Sequence, residues 1–503
     1  MDPIVGLDKP PSPALAMPAS LRTPGAIVLI SCYELGHQPL GAAQAAGFLE
    51  QAGYAPHLLD ASIEECDPER VKHAAVVCLS VPMHTALRLG VRVAQLVRQV
   101  NPSCYLCFYG LYASINAEYL LRDTADFVIG GEYETPLVLL MNALERGCDR
   151  PDIDGLSRRG RISPPFLNRT PFVFPVPARH SLPPLDRYAR LEHDGERRIA
   201  GYVEASRGCL HTCRHCPIVP VYEGRFFLVP QDVVLQDIRQ QVNAGATHMT
   251  FGDPDFLNGP GHSLSIVRAM HAEFPGLTFD ITAKIEHVLK RRTIFHELAE
   301  LGCLFVISAV ESFSDTVLNV LAKGHTRADI ITALDIVRGA GISIRPSLVA
   351  FTPWTTLDDY LDMFAMVDAH DLIDGIDPVQ YAIRLLIPPG SALLTGSDAP
   401  AAVHAFLGPL DQARFQYRWA HPDSRMDRLH TLISTAVEDA AKIGEDTRVT
   451  FDRLYGLACH MANREPPNPY RPRRSEGKPR LPRMSEPWFC CAEPTRGQMD
   501  ALG

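Results

Sequence analysis

Little in this 503-residue chain suits a membrane, a nucleic acid or an oxidising compartment. No apolar run approaches the roughly 20 residues that a spanning helix needs. There is no basic excess: the formal net charge is -10, which gives no general support for nucleic-acid binding. The first residues, MDPIVGLDKPPSPALAMPASLRTPGAIVLIS, lack the basic region and apolar core of a signal peptide, so a cytoplasmic location is expected. Cysteine is present, but not as a framework. Thirteen is an odd count, spread unevenly over a large chain, which favours reduced thiols with some acting as metal ligands.

What is present is a twice-repeated alternation of strand and helix patterns. After a Pro-rich arm (residues 1–24), the runs AIVLIS, PHLLD, AVVCLS, YLCFYG and DFVIGG alternate with helical stretches over 25–150. This pattern predicts a doubly wound parallel sheet whose ligands sit beyond the carboxyl ends of its strands. Residues 151–195 are dense in proline and read as an ordered linker. A second series follows over 196–395: GYVEAS, HMTFGD, LTFDIT, LFVISAV, SIRPSLVAF and PVQYAIRLL. Six such units predict a partial (β/α)6 barrel with its chemistry at the C-terminal strand ends. The α/β chain then continues into a mostly helical extension (396–470) and a basic, Pro-rich tail (471–503) that carries two cysteines.

EASRGCLHTCRHCPI is the strongest chemical signal. Cys209, Cys213 and Cys216 are spaced C-x3-C-x2-C just after the first barrel strand. Three thiolates on one loop can hold three irons of a 4Fe–4S cluster and leave the fourth open to a substrate or cofactor. A structural zinc site, with His211 or His215 as fourth ligand, is the alternative. Cys104 and Cys107 lie in or beside a strand, where a separation of three sends them to opposite faces as buried thiols.

The triplet resembles that of the radical S-adenosylmethionine (radical SAM) superfamily, over about residues 200–390. The resemblance implies a 4Fe–4S cluster on Cys209, Cys213 and Cys216, SAM as co-substrate, and an external reductant such as flavodoxin or ferredoxin. It implies SAM contacts from Gly252, Asp253 and Asp255 in FGDPDF, from Glu311 and Ser312 in SAVES, and from Arg345 in SIRPS, with Lys284 and Glu286 as further candidates. The first domain, with VIGGEYETPLVLLMNAL at its end, resembles the cobalamin-binding domain that precedes many such barrels. The usual cobalt-ligating D-x-H-x-x-G motif is absent, which leaves two expectations: cobalamin bound base-off without a lower ligand, or loss of cobalamin with the domain kept as a substrate lid. Cys32, Tyr33, Glu34 and His37, in SCYELGHQP after its first strand, are the expected substrate contacts.

The ending WFCCAEP is similar to that of the CUAEP/CCAEP-tail radical SAM family, some members of which carry selenocysteine in the pair. Neighbouring thiols suit a soft thiophilic atom such as As(III), or hydrogen-atom or electron donation. A related cysteine-tailed group, the arsinothricin biosynthesis enzyme, attaches a 3-amino-3-carboxypropyl group from SAM to arsenite. By that analogy Cys490 and Cys491 are catalytic and hold the substrate, a small molecule or inorganic species. Cobalamin-dependent radical methylation is the second enzymatic reading, and a non-catalytic metal or metalloid binding protein the third.

Overall fold

The computed structural model describes residues 20–65, 67–167, 173–395, 403, 405–467, 481–486, 493 and 499. Cys490 and Cys491 lie outside them.

The first domain is a six-stranded sheet. Its strands are β1 (Ile27–Ser31), β2 (His57–Asp60), β3 (Val76–Ser80), β4 (Tyr105–Tyr109), β5 (Phe127–Ile129) and β6 (Leu156–Arg158), in the order β2-β1-β3-β4-β5-β6. All pairs are parallel except β5–β6. IVLIS and VVCLS are apolar nearly throughout and buried at every position, as a parallel sheet covered on both faces requires. The helices Leu40–Gln51, His84–Val100 and Glu134–Glu145 supply that cover. Cys104 packs into the core on one face and Cys107 into the core on the other.

The second sheet is a curled half-barrel. It contains β7 (Arg190–His193), β8 (Glu196–Val203), β11 (His248–Phe251), β12 (Thr278–Thr282), β13 (Cys303–Glu311), β14 (Ser343–Leu348) and β17 (Arg483–Met484), in the order β14-β13-β12-β11-β8-β7-β17. Strands β8 and β11 to β14 are parallel, while β7 and β17 run antiparallel to their neighbours. Two short antiparallel pairs stand apart: β9 (Ser206–Gly208) with β10 (Phe226–Leu228), and β15 (Leu407–Asp411) with β16 (Gln416–Trp419). At the sixth barrel position PVQYAIRLL forms a 3-10 turn (Pro378–Ala382) and a single parallel bridge, Phe351 to Arg384. Pro378, Pro388 and Pro389 bracket that run and limit its ladder.

Further elements differ from the sequence expectation. Strands β6 and β7 both lie inside the Pro-rich linker, β6 as an antiparallel edge of the first sheet and β7 paired antiparallel with β8. The hairpin β15–β16 stands in the stretch expected to be mostly helical, where Gly408 and Pro409 disfavour helix; the helices Ser424–Ile443 and Thr447–Met461 follow it.

Candidate active site at the cysteine loop

The cysteine loop leaves the barrel through β9. Gly208 turns the chain at φ +75°, and a Cβ there would meet the Arg225 carbonyl oxygen at 2.5 Å, so glycine is required. Two bonds from Arg214, backbone N to Leu321 O (2.9 Å) and Nη1 to Val320 O (3.0 Å), hold the loop to the helix Asp315–Val320. Cys213 is buried; Cys209 and Cys216 are partly exposed. Burial pushes the Cys209 thiol up to about 11 and the Cys216 thiol higher still. Becoming thiolates at neutral pH therefore requires positive charge beside them, which a metal centre supplies. Among the described residues, the only set of three His, Cys, Asp or Glu donors within 4.8 Å of one another is His211, Asp255 and His287. At least one pair of the three sulfurs is thus more than 4.8 Å apart, wider than the roughly 3.8 Å that a single zinc with ~2.3 Å bonds imposes. They fit an iron–sulfur cluster better than one ion.

Three carboxylates at strand ends meet this loop. Asp253, just beyond β11, accepts from Ala205 N (2.9 Å) and Ser206 Oγ (2.5 Å), so both its oxygens hold the chain entering β9. Burial raises its pKa to about 6. Asp255 lies against His211 and His287 (3.3 and 2.7 Å). Glu311 ends β13 at φ +65°, strained for a non-glycine residue. Its Oε1 takes both Lys323 Nζ (3.2 Å) and His215 Nε2 (3.3 Å). Burial pulls its pKa up, but the Lys323 charge and the His215 contact outweigh that and hold it at about 2. Gly252 is set by crowding, because a Cβ there would overlap the Tyr202 hydroxyl. Ser312 Oγ accepts from Ser314 N, and Lys284 pairs with Glu286. Arg345 Nη2 binds both oxygens of Asp377.

Several polar atoms along these strands are buried with no hydrogen-bond partner among the described residues: Asn258 Nδ2, Glu311 Oε2, Arg345 Nη1 and Ser347 Oγ. Buried orphans are rare in native proteins and point to a missing ligand. One anionic acceptor, one guanidinium donor, an amide and a hydroxyl suit a ligand carrying hydroxyls and a carboxylate, as SAM does. The site residues present therefore fit both groups that the resemblance implies.

The loop after β1 is sealed differently. His37 is buried and stacked on Tyr202 (centroids 4.7 Å apart), and burial lowers its pKa to about 4. Glu34 is buried beside Gly41, and burial raises its pKa to about 8. Cys32 is buried under Gly90, and Tyr33 donates to Glu486 Oε1 (3.0 Å). Nearby, Arg207 of the barrel is ion-paired with Glu132 (3.1 Å) and Glu134 of the first domain, and Tyr222 donates to Glu132 (2.7 Å). Where Tyr112 of the first domain faces His215, the cavity is only about 10 Å³, enough for one water.

The described tail residues cross both domains. Strand β17 adds to β7, and Arg483 pairs with Glu192 (2.8 Å) while reaching Asp377 at 3.8 Å. Leu481 lies against Gly375, so the tail closes the side of the half-barrel between β7 and the turn near β14. Glu493 then reaches the first domain: it meets His84 Nε2 (3.3 Å) and Arg88 Nη1 (2.5 Å), and accepts from Gln416 of β16. Burial pulls its pKa up, but the His84 contact and the charges of His84 and Arg88 hold it below the usual range. His84 stacks edge-on against Tyr112 (5.7 Å), which lines the same small cavity as His215. Arg92 donates to Met499 O (2.9 Å).

Sequence reasoning missed Lys323, Arg207 and the His84–Arg88 cradle. His215 and Arg207, in EASRGCLHTCRHCPI, and Glu493, in WFCCAEP, stood inside quoted motifs and carried a usable signal; Lys323, His84 and Arg88 had none.

Residues 203–365 match the model of the radical SAM superfamily. The hopanoid C-3 methylase of Methylococcus capsulatus is 24% identical over 328 residues, 63% of this chain and 62% of that protein. An uncharacterized methyltransferase of Pyrococcus horikoshii is 24% identical over 334 residues, 65% of this chain and 69% of that protein. The chain thus spans less than two thirds of the length of the hopanoid methylase. Among solved structures, the cobalamin-dependent S-adenosylmethionine radical enzyme OxsB, with aqua-cobalamin and S-adenosylmethionine bound, superposes with a TM-score of 0.66. Its identity is 15%, covering 87% of this chain and 71% of that one. The radical SAM methyltransferase TsrM of Kitasatospora setae, with cobalamin and a 4Fe–4S cluster bound, gives a TM-score of 0.55 at 16% identity, covering 69% of this chain and 73% of that one. These likenesses establish a shared fold.

Proposed function

Since residues 203–365 make this chain a member of the radical SAM superfamily of enzymes, we propose that it cleaves SAM reductively and transfers a SAM-derived carbon group to a substrate held near its tail. The group is 3-amino-3-carboxypropyl, and the acceptor is a soft element such as As(III) bound by Cys490 and Cys491; the carbon radical adds to As(III), and a second electron from the external reductant, with release of one thiolate, returns arsenic to the trivalent state. When bound on Cys209, Cys213 and Cys216, a 4Fe–4S cluster supplies the electron that splits a carbon–sulfur bond of SAM, drawn from a flavodoxin- or ferredoxin-type reductant. Glu311, kept ionised by Lys323, offers Oε2 to a ribose hydroxyl. Arg345 offers Nη1 to the SAM carboxylate, and the packed seam around Arg207 excludes water.

The observation that carries the tail's part in this reading is the pair of anchors on either side of the cysteines. Glu486 is bonded to Tyr33 and Glu493 to His84, Arg88 and Gln416, and His84 packs against Tyr112, which lines the small cavity next to His215. The test is to reduce the reconstituted protein with SAM and identify the nucleoside product. Methylthioadenosine supports aminocarboxypropyl transfer; 5′-deoxyadenosine redirects the reading to adenosyl-radical chemistry with the thiols as hydrogen-atom or electron donors. Neither product, with an intact cluster, would overturn it.

A second reading, cobalamin-dependent methyl transfer, is favoured by the fold shared with OxsB and TsrM. The absence of the D-x-H-x-x-G motif weighs against it. Corrinoid absorbance in protein produced with cobalamin decides between the two.

A further inference from the structure

His211, Asp255 and His287 come together from three separate elements beside the cysteine loop. His211 sits within the loop itself, Asp255 follows β11, and His287 lies in the first turn of the helix Ile285–Lys290. Their facing atoms, His211 Nε2, Asp255 Oδ2 and His287 Nδ1, lie within 4.8 Å of one another. All three atoms are buried. Burial pulls the Asp255 pKa up, but its contacts with His287 and His211, at 2.7 and 3.3 Å, outweigh that and hold it down without reaching a well-aligned hydrogen bond. The side chains are 12%, 1% and 10% exposed. Three buried polar atoms converging without satisfying one another is costly unless something is shared between them.

We propose that these residues form a mononuclear site for a divalent transition-metal ion, separate from the cluster cysteines. Two imidazoles and one carboxylate are an established donor set for such ions, leaving further positions open. Asp255 Oδ2 is 2.7 Å from His287 Nδ1 and 3.3 Å from His211 Nε2. Bonds of about 2.1 Å at right angles put donor atoms about 3.0 Å apart, between those two values. The surroundings are built for ligation. Asp255 Oδ1 is committed to Leu257 N (3.0 Å), which aims Oδ2 at the two rings. On the far side of His211, Nδ1 faces Glu286 Oε2 at 3.4 Å, and Glu286 is held by Lys284. A carboxylate behind the ring holds the proton on Nδ1 and leaves the Nε2 lone pair for a metal. The ion would tie the loop that carries Cys209 and Cys213 to the ends of two barrel strands. The competing account is a proton-sharing His–Asp–His clamp with no ion.

The site takes Asp255, which the resemblance gave to SAM, as a metal ligand instead; it does not otherwise rest on the SAM reading, and the experiment separates the two. The full-length chain is prepared with Cys209, Cys213, Cys216, Cys490 and Cys491 all replaced by Ser, which removes the cluster and the tail thiols. It is titrated with Co(II), followed by its visible d–d absorption, and with Zn(II), followed by metal analysis after gel filtration. One equivalent of either ion, without thiolate charge-transfer absorption, is expected. Adding His287→Gln or Asp255→Asn should weaken binding at least 100-fold, and Glu286→Gln about 10-fold, as loss of a group behind a ligand does. Near-isosteric replacements limit unfolding, and circular dichroism confirms each fold. If the five-Ser chain does not fold, wild-type reconstituted protein is assayed for one metal equivalent beyond the cluster iron, lost on His287→Gln. No bound ion, or binding indifferent to His287 and Asp255, would overturn the proposal.

Discussion

Two sheet edges face one another across this molecule, and they are finished differently. The C-terminal edge of the half-barrel keeps buried polar atoms unsatisfied beside the cysteine loop: Asn258 Nδ2, Glu311 Oε2, Arg345 Nη1 and Ser347 Oγ. The facing edge of the first domain keeps such atoms too, at Ser31, Glu34, Asp60 and Glu134, but it also ties itself across the seam. His37 stacks on Tyr202, and Glu132 and Glu134 close on Arg207. In a low-dielectric interior an unmet polar group costs about 1–3 kcal/mol, so such groups persist where a ligand meets them. What separates the two edges is the set of side-chain contacts across the seam, which Glu132, Glu134 and His37 make from the first-domain side. A doubly wound fold alone does not imply a ligand at its strand ends.

The largest break in this comparison comes from the cysteines. Replacing any one of Cys209, Cys213 or Cys216 with Ala should abolish the iron–sulfur absorbance and reduce SAM cleavage to background, while circular dichroism stays native-like. Next is Lys323→Met, which strands the buried Glu311 carboxylate. Losing one partner of a buried pair costs about 3–5 kcal/mol, readable as a shift in urea unfolding. Adding Glu311→Gln should recover most of that loss, since the uncompensated charge is then gone. If Lys323→Met alone leaves stability unchanged, the pair does not organise the barrel edge.

Lys323 also shows where sequence reading stops. Glu311 was legible because a carboxylate at a strand end has a positional meaning, and the cysteines because their spacing does. Lys323 reaches Glu311 only because the chain turns back after the helix Asp315–Val320, with Ala322 at φ +53° and Gly324 at φ +70°. No local pattern announces that return. The parallel strands IVLIS and VVCLS were legible because burial on both faces demands an apolar run, and the opposite faces of Cys104 and Cys107 followed from their separation. PVQYAIRLL looked like a sixth strand by the same logic, yet flanking prolines leave it only one bridge. The Glu493 cradle joins positions more than 400 residues apart, so only the fold reveals it.

The two edges should also part company with pH. Burial raises Glu34 to about 8 from an ordinary 4.5. Between those values the native carboxyl keeps a proton that the unfolded chain has lost, so stability falls as pH rises, by about 1.4 kcal/mol per unit. The contribution is complete below 4.5 and gone above about 8. Glu311, held at about 2, does the reverse: its contribution is present above 4.5 and fades as pH falls toward 2. Glu34→Gln should flatten the alkaline limb of the melting temperature and leave the acid limb alone, whereas the Lys323→Met and Glu311→Gln double variant should flatten the acid limb. Identical pH profiles in all variants would erase the distinction between the edges.

The smallest effect on stability, and the finest test of the seam, belongs to Glu493. Its side chain is 36% exposed, so its pairing with Arg88 is worth about 0.5–1 kcal/mol and Glu493→Gln should barely move the melting temperature. Its consequence lies instead in where the tail is held, because Glu493 joins the first-domain helix at His84 and Arg88 to the hairpin at Gln416. Amide hydrogen exchange in the peptides carrying Gln416 and Arg88 should rise in Glu493→Gln, and charge reversal at Arg88→Glu should raise it further. The double variant Arg88→Glu, Glu493→Arg restores the pair with opposite polarity and should bring protection back. Protection that ignores all three changes would mean that β17 alone docks the tail, and that the first-domain edge closes without it.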